Sequence, residues 1–242
     1  MSISLVGSPW SHSGNNQLTL SVSPASAGNL MTLAFDDNDS RVQSSACSGG
    51  GVTTWNLAKS VIGTNYPAPV EIWWGVVTST GASTITLTNS GVDGGDFTRL
   101  WAAEWNSTTA GTWSLLTTGS LPGNGLAFNY PSITGSGLYF GVAGNDFGTL
   151  TAGATSGFTY TVVDGHLMMA YNTAASGTEQ PNGVTSDSGA DITAIAALFN
   201  VTASAAAPYP AQQEVIRARL PRGPYILGNP GLIYQVSRVG TP

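Results

Sequence analysis

Two glutamates sit among tryptophans, in Glu71-Ile72-Trp73-Trp74 and in Trp101-Ala102-Ala103-Glu104-Trp105. Rings beside carboxylates are the components of a saccharide site: the rings stack on sugar faces, and glycoside hydrolysis needs two carboxylates facing each other across a cleft. Strand alternation works against that pairing. It puts Glu104 on the face opposite Trp101, Ala103 and Trp105, and leaves Glu71 on the same face as Trp73. The favoured reading is tryptophans in the core and a glutamate at the rim. In the competing reading Trp73, Trp74, Trp101 and Trp105 are exposed and bind glycans.

The chain has two histidines, His12 and His166. His166 follows Asp164-Gly165, so a Ser-His-Asp arrangement is conceivable among so many serines. A half-exposed turn histidine is the simpler reading. There is no G-x-S-x-G elbow, phosphate loop, G-x-G-x-x-G turn or H-E-x-x-H pair. The chain is therefore expected not to be an enzyme, with no catalytic residues and no cofactor. Asp36-Asp37-Asn38-Asp39 and Asp93-Gly94-Gly95-Asp96 could offer oxygen ligands to calcium, but neither has the calcium-loop spacing with its closing Glu. Asx-rich turns account for both, and no metal site is assigned. The lone Cys47 excludes an internal disulfide and reads as a small, buried or half-buried side chain.

The elements that would position these residues follow from composition. Hydrophobic residues make up 41% of the 242, but charged residues only 8%, about a third of the usual share. The polar surface must come from Ser, Thr, Asn and Gly, and such a surface is easier to desolvate against a neighbour. With 31 Gly and 13 Pro, short strands and tight turns are favoured over long helices. Residues 1–16 lack the basic start and apolar run of a secretory signal, and no segment approaches the roughly 20 apolar residues of a membrane helix.

Alternation marks strands at 17–22, 30–35, 70–77, 84–88, 99–105, 138–142, 158–163, 167–171 and 192–201. Residues 70–77 and 84–88 read as a hairpin across the turn at 79–81, with Ile85 and Leu87 inward and the threonines outward. Asp164-Gly165 marks a second hairpin. The alanines at 194, 196 and 197 favour a helix, but β-branched Ile192, Ile195 and Val201 decide for a closing strand. The fold class expected is an all-β, antiparallel two-sheet β-sandwich, jelly-roll-like or immunoglobulin-like, over residues 1–203.

Residues 204–242 read differently, as a Pro- and Arg-containing linker and extended C-terminal arm. Residues 1–212 carry three basic and twelve acidic side chains, residues 213–242 four arginines and one glutamate, so the two parts have opposite charge. Arg217, Arg219, Arg222 and Arg238, with Tyr225 and Tyr234, suit a protein partner: guanidinium groups pair with carboxylates, and prolines and tyrosines lose little entropy on docking. Four charges beside an acidic body are few for nucleic acid, and no nucleic-acid partner or membrane insertion is expected.

Residues 1–201 resemble β-sandwich proteins of tailed bacteriophage particles, minor tail or capsid-decorating proteins of actinobacterial phages. The resemblance lies in Gly28-Asn29-Leu30-Met31-Thr32-Leu33, Gly50-Gly51-Val52-Thr53-Thr54-Trp55, Glu71-Ile72-Trp73-Trp74-Gly75-Val76-Val77 and Ala102-Ala103-Glu104-Trp105. It implies a multicopy or homo-oligomeric structural protein, assembled in the host cytoplasm and exposed on the virion. The arm then joins capsid or tail subunits. A carbohydrate-binding module or adhesin for host-surface glycans is the alternative.

Overall fold

Where apolar residues alternate with serine and threonine, the backbone can bury one face and wet the other, and strands are the result. The computed structural model describes residues 2–38, 42–63, 68–92 and 95–203 and is all-β and antiparallel, with no helix among the described residues. The first eight strands are β1 (Ile3–Asn15), β2 (Thr19–Val22), β3 (Leu30–Asp37), β4 (Ala46–Gly49), β5 (Val52–Ile62), β6 (Pro69–Val77), β7 (Ser83–Thr88) and β8 (Phe97–Ser107). The second eight are β9 (Gly111–Asn124), β10 (Ala127–Asn129), β11 (Ile133–Asn145), β12 (Leu150–Ala152), β13 (Thr159–Val163), β14 (Leu167–Glu179), β15 (Asn182–Thr185) and β16 (Asp191–Ala203).

Both sets close in the same order. The first forms a five-stranded sheet β1-β8-β3-β6-β5 and a three-stranded sheet β2-β7-β4. The second forms β9-β16-β11-β14-β13 and β10-β15-β12, the same order with every strand eight places on. Each half is an eight-strand jelly roll. Registers match as well: Leu30 lies opposite Trp105 and Ala34 opposite Trp101, as Leu138 lies opposite Phe199 and Val142 opposite Ile195. The sandwich expected from the sequence is formed in its jelly-roll version, and formed twice, as four sheets instead of two.

Alternation sorts the side chains into three cores. Leu20, Ile85 and Leu87 meet Met31, Leu33, Phe35 and Leu100 inside the first half, and Phe128 and Leu150 meet Met168, Ala194 and Leu198 inside the second. The third core lies between the five-stranded sheets, where Trp101, Trp105, Ile72 and Leu30 face Phe140, Met169, Tyr171 and Phe199. Across this seam β5 lies against β9 and β1 against β13, while β6 meets β11 and β3 meets β14. Exchanging the halves turns each of these pairings into the other, so the halves are related as by a two-fold axis.

The strand over Asp191–Ala203 replaces any helix, and Asp164 and Gly165, both at positive φ, turn β13 into β14 as expected. The other proposed hairpin is corrected. β6 and β7 are consecutive but belong to different sheets, β7 pairing with β2 and β4. Ile85 and Leu87 do point inward and Thr84, Thr86 and Thr88 outward. β1 and β9 carry weak alternation because both are edge strands with irregular register, and their Pro9 and Pro122 are tolerated there. The linker and arm over 204–242 lie outside the described residues.

Candidate functional site

The alternation argued for the two glutamates holds, but their environment differs from a rim. Glu71 and Glu104 are 0% and 1% exposed, on the face of the five-stranded sheet that meets β2-β7-β4. Glu104 accepts hydrogen bonds from the backbone N–H of Ala25 at 2.7 Å and of Ser26 at 3.0 Å, and from Nδ2 of Asn29 at 2.6 Å. Glu71 accepts from the Ser44 N–H and from Nε1 of Trp73, both at 2.7 Å. Burial raises the Glu71 carboxyl above its ordinary range, against the Trp73 and Ser44 donors that pull it down. Each carboxylate holds a loop onto the sheet.

The two do not form a catalytic pair. Glu71 sits opposite Phe35 and Glu104 opposite Met31, on either side of β3 and four residues apart along it. Strand spacing then puts their backbone positions roughly 16 Å apart, beyond the roughly 5–10 Å of glycosidase pairs. His166 belongs to the other half. Its Nδ1 is 3.0 Å from Oδ1 of Asn145, and partial burial with the Arg99 charge lowers its pKa.

Three of the four candidate glycan rings are interior. Trp73, Trp101 and Trp105 are buried, and Trp74 is half-buried against the central core, its ring 5.6 Å from Phe199. Trp101 stacks on Phe140 at 5.6 Å, Trp105 meets Tyr171 edge-on at 5.0 Å, and Nε1 of Trp105 donates to Thr32 Oγ1 at 2.8 Å. This corrects the exposed-ring reading: β2-β7-β4 covers the face of Trp73, and the five-stranded sheet of the second half covers that of Trp74, Trp101 and Trp105.

Arg99 is the one charged side chain carried into the seam among the described residues with a partner from each half. Its Nη1 donates to Asp36 Oδ2 at 2.9 Å, and its Nε lies 3.8 Å from Oδ2 of Asp164 in the β13–β14 turn. Asp36 is 1% exposed and packs on β11, where a Cβ added to Gly144 would lie 2.7 Å from Asp36 Oδ1. Desolvation pushes the Asp36 carboxyl up to about 7, although Arg99 opposes the shift. This pairing uses the first acidic cluster for structure. Asp39 and Asp93 of the two clusters lie outside the described residues, and among the described residues no three His, Cys, Asp or Glu side chains converge. Cys47 is half-buried with its thiol pushed far up by burial and by Glu71.

A concave polar feature remains where the halves join. The 25–29 loop, the end of β8 and the connection into β9 enclose about 290 Å³. Asn29, Asn106, Ser107 and Thr109 supply polar groups, Ala27, Gly28, Ala110 and Gly111 supply space, and Trp113 supplies an indole whose Nε1 donates to the Gly28 carbonyl at 3.1 Å. No local pattern marks this cleft, since its walls come from residues some 80 positions apart, a separation that Trp113 and Gly28 span. Arg217, Arg219, Arg222, Tyr225, Tyr234 and Arg238 lie outside the described residues. Comparison with protein-family models, with curated proteins and with solved structures finds no match to this chain.

Proposed function

We propose that this chain is a non-enzymatic structural protein of a tailed phage particle, its β body displayed on the surface and its C-terminal residues docking on capsid or tail subunits. The observation that carries this reading is the repeated jelly roll. That architecture serves capsid proteins and lectins, an argument by analogy of fold. The body's chemistry agrees with it: Glu71, Glu104, Asp36 and Arg99 are committed to holding loops and sheets. The outer face of β2-β7-β4 is hydroxyl-rich, with Thr19, Ser21, Thr84, Thr86, Thr88 and Ser48 exposed. Uncharged faces of this kind are desolvated at low cost when subunits meet.

The expected partner contact is the basic segment, whose charge opposes that of the body. Deleting residues 208–242 should leave a folded, soluble body that no longer joins the particle in an assembly assay. Undiminished incorporation of the truncated chain would overturn the proposal.

A further inference from the structure

We propose that the polar cleft at the junction of the halves binds a neutral sugar ring. The inference is independent of the virion reading and uses none of the four tryptophans considered above. At about 290 Å³ the cleft lies at the small end of ligand sites, suited to one ring and not to a drug-sized molecule. No ionisable side chain lines it, so it offers a charged ligand no counter-ion to offset desolvation. A polyhydroxylated neutral ligand can instead exchange its water partners for amide and hydroxyl groups.

Those groups are oriented. Nδ2 of Asn29 donates to the buried Glu104 carboxyl, so the Asn29 amide is turned with Oδ1 on its other side as an acceptor. Ser107 Oγ accepts the Thr109 N–H at 3.1 Å, which leaves its O–H free to donate elsewhere. The exposed Asn106 amide can both donate and accept, the pattern that matches neighbouring sugar hydroxyls. The indole N–H of Trp113 is bonded to Gly28 and its ring is buried in the central core, so Trp113 closes the floor of the cleft and the polar groups carry the recognition.

The walls are also fixed in advance. Gly28 N–H donates to Val77 at 2.9 Å, Thr108 N–H to Ser2 at 3.0 Å, and Gly111 pairs with Ala203 at the start of β9. A site held by its own backbone loses little entropy on binding.

The test is titration of the isotope-labelled full chain, followed by the amide and indole N–H signals. The probes are glucose, galactose, mannose, arabinose and N-acetylglucosamine, with glucuronate and glucose 6-phosphate as charged controls. At least one neutral sugar is expected to shift the Trp113 indole and the Asn29 and Asn106 amide signals saturably, with a Kd in the millimolar range. Asn106→Ala, at an exposed position, should weaken binding about tenfold without moving the unfolding midpoint, and Ala27→Leu, which fills the cleft, should abolish it. The proposal is overturned if no neutral sugar shifts these signals, if the shifts survive both substitutions, or if the charged sugars bind as well. Particle incorporation of the 208–242 deletion bears on the virion reading alone.

Discussion

Individual polar residues in this protein are spent on joining pieces that alternation alone would leave separate. Asp36 and Glu71 both have carboxyls raised by burial, Asp36 to about 7, so each holds its proton more tightly in the folded than in the unfolded chain. For an acid with a raised folded pKa, its stabilising contribution is complete below the unfolded value of 3.8 and declines as pH rises toward about 7. His166 acts in the opposite sense: its pKa is lowered from 6.5, so its contribution is present above 6.5 and lost on acidification. Urea unfolding followed from pH 4 to pH 8 should show stability falling through the Asp36 window. Asp36→Asn should flatten that slope, and an unchanged slope would remove Asp36 as its origin. Glu104 makes a different point. Replacing it with Ala leaves two backbone donors and the Asn29 amide without their acceptor and should cost about 3 kcal/mol, whereas Glu104→Gln, which keeps one carbonyl oxygen, should cost less.

Elements meet here through alternation and through small residues at close approaches. β11 shows both: Leu138, Phe140 and Val142 face the other half, Tyr139 and Ala143 face β10-β15-β12. Gly144 lies where a Cβ would be 2.7 Å from both Asp36 Oδ1 and Val70 Cγ2, so no side chain fits without moving β3, β6 and β11 apart. Gly144→Ala is expected to destabilise by roughly 1–3 kcal/mol in denaturant unfolding. The nine strands read from the sequence are all present, because their inward residues are bulky and regularly spaced. β1, β5 and β9 escaped the reading for a shared reason: as edge strands with shifted register they lose the strict period of two. The glutamates were placed on the correct faces by the same rule, but not at the correct depth.

At the scale of the whole molecule, the described residues form two jelly rolls sharing a central aromatic core. Either half alone would expose Trp101, Ile72 and Leu30 or Phe140, Met169 and Phe199 to water, so neither is expected to be stable by itself. Co-expressed fragments 1–109 and 110–242 should therefore co-purify as a one-to-one complex. Trp101→Ala should disrupt that complex, and recovery of either fragment as a folded monomer would contradict a shared core. The repeat has one trace in the primary structure. Trp101-Ala102-Ala103-Glu104-Trp105-Asn106 on β8 corresponds to Ile195-Ala196-Ala197-Leu198-Phe199-Asn200 on β16, with the alanine pair and the asparagine kept and the aromatic position conserved in character.

What the sequence determined by itself was the class of structure: side-chain period, β-branched and aromatic content and turn residues are local properties, and they specify antiparallel strands with known inward faces. What only the tertiary structure decided was which strands join which sheet and what covers each sheet's second face. That pairing is set by contacts between residues a hundred positions apart, and it moved the tryptophans and both glutamates into the interior and opened the polar cleft at the junction of the halves.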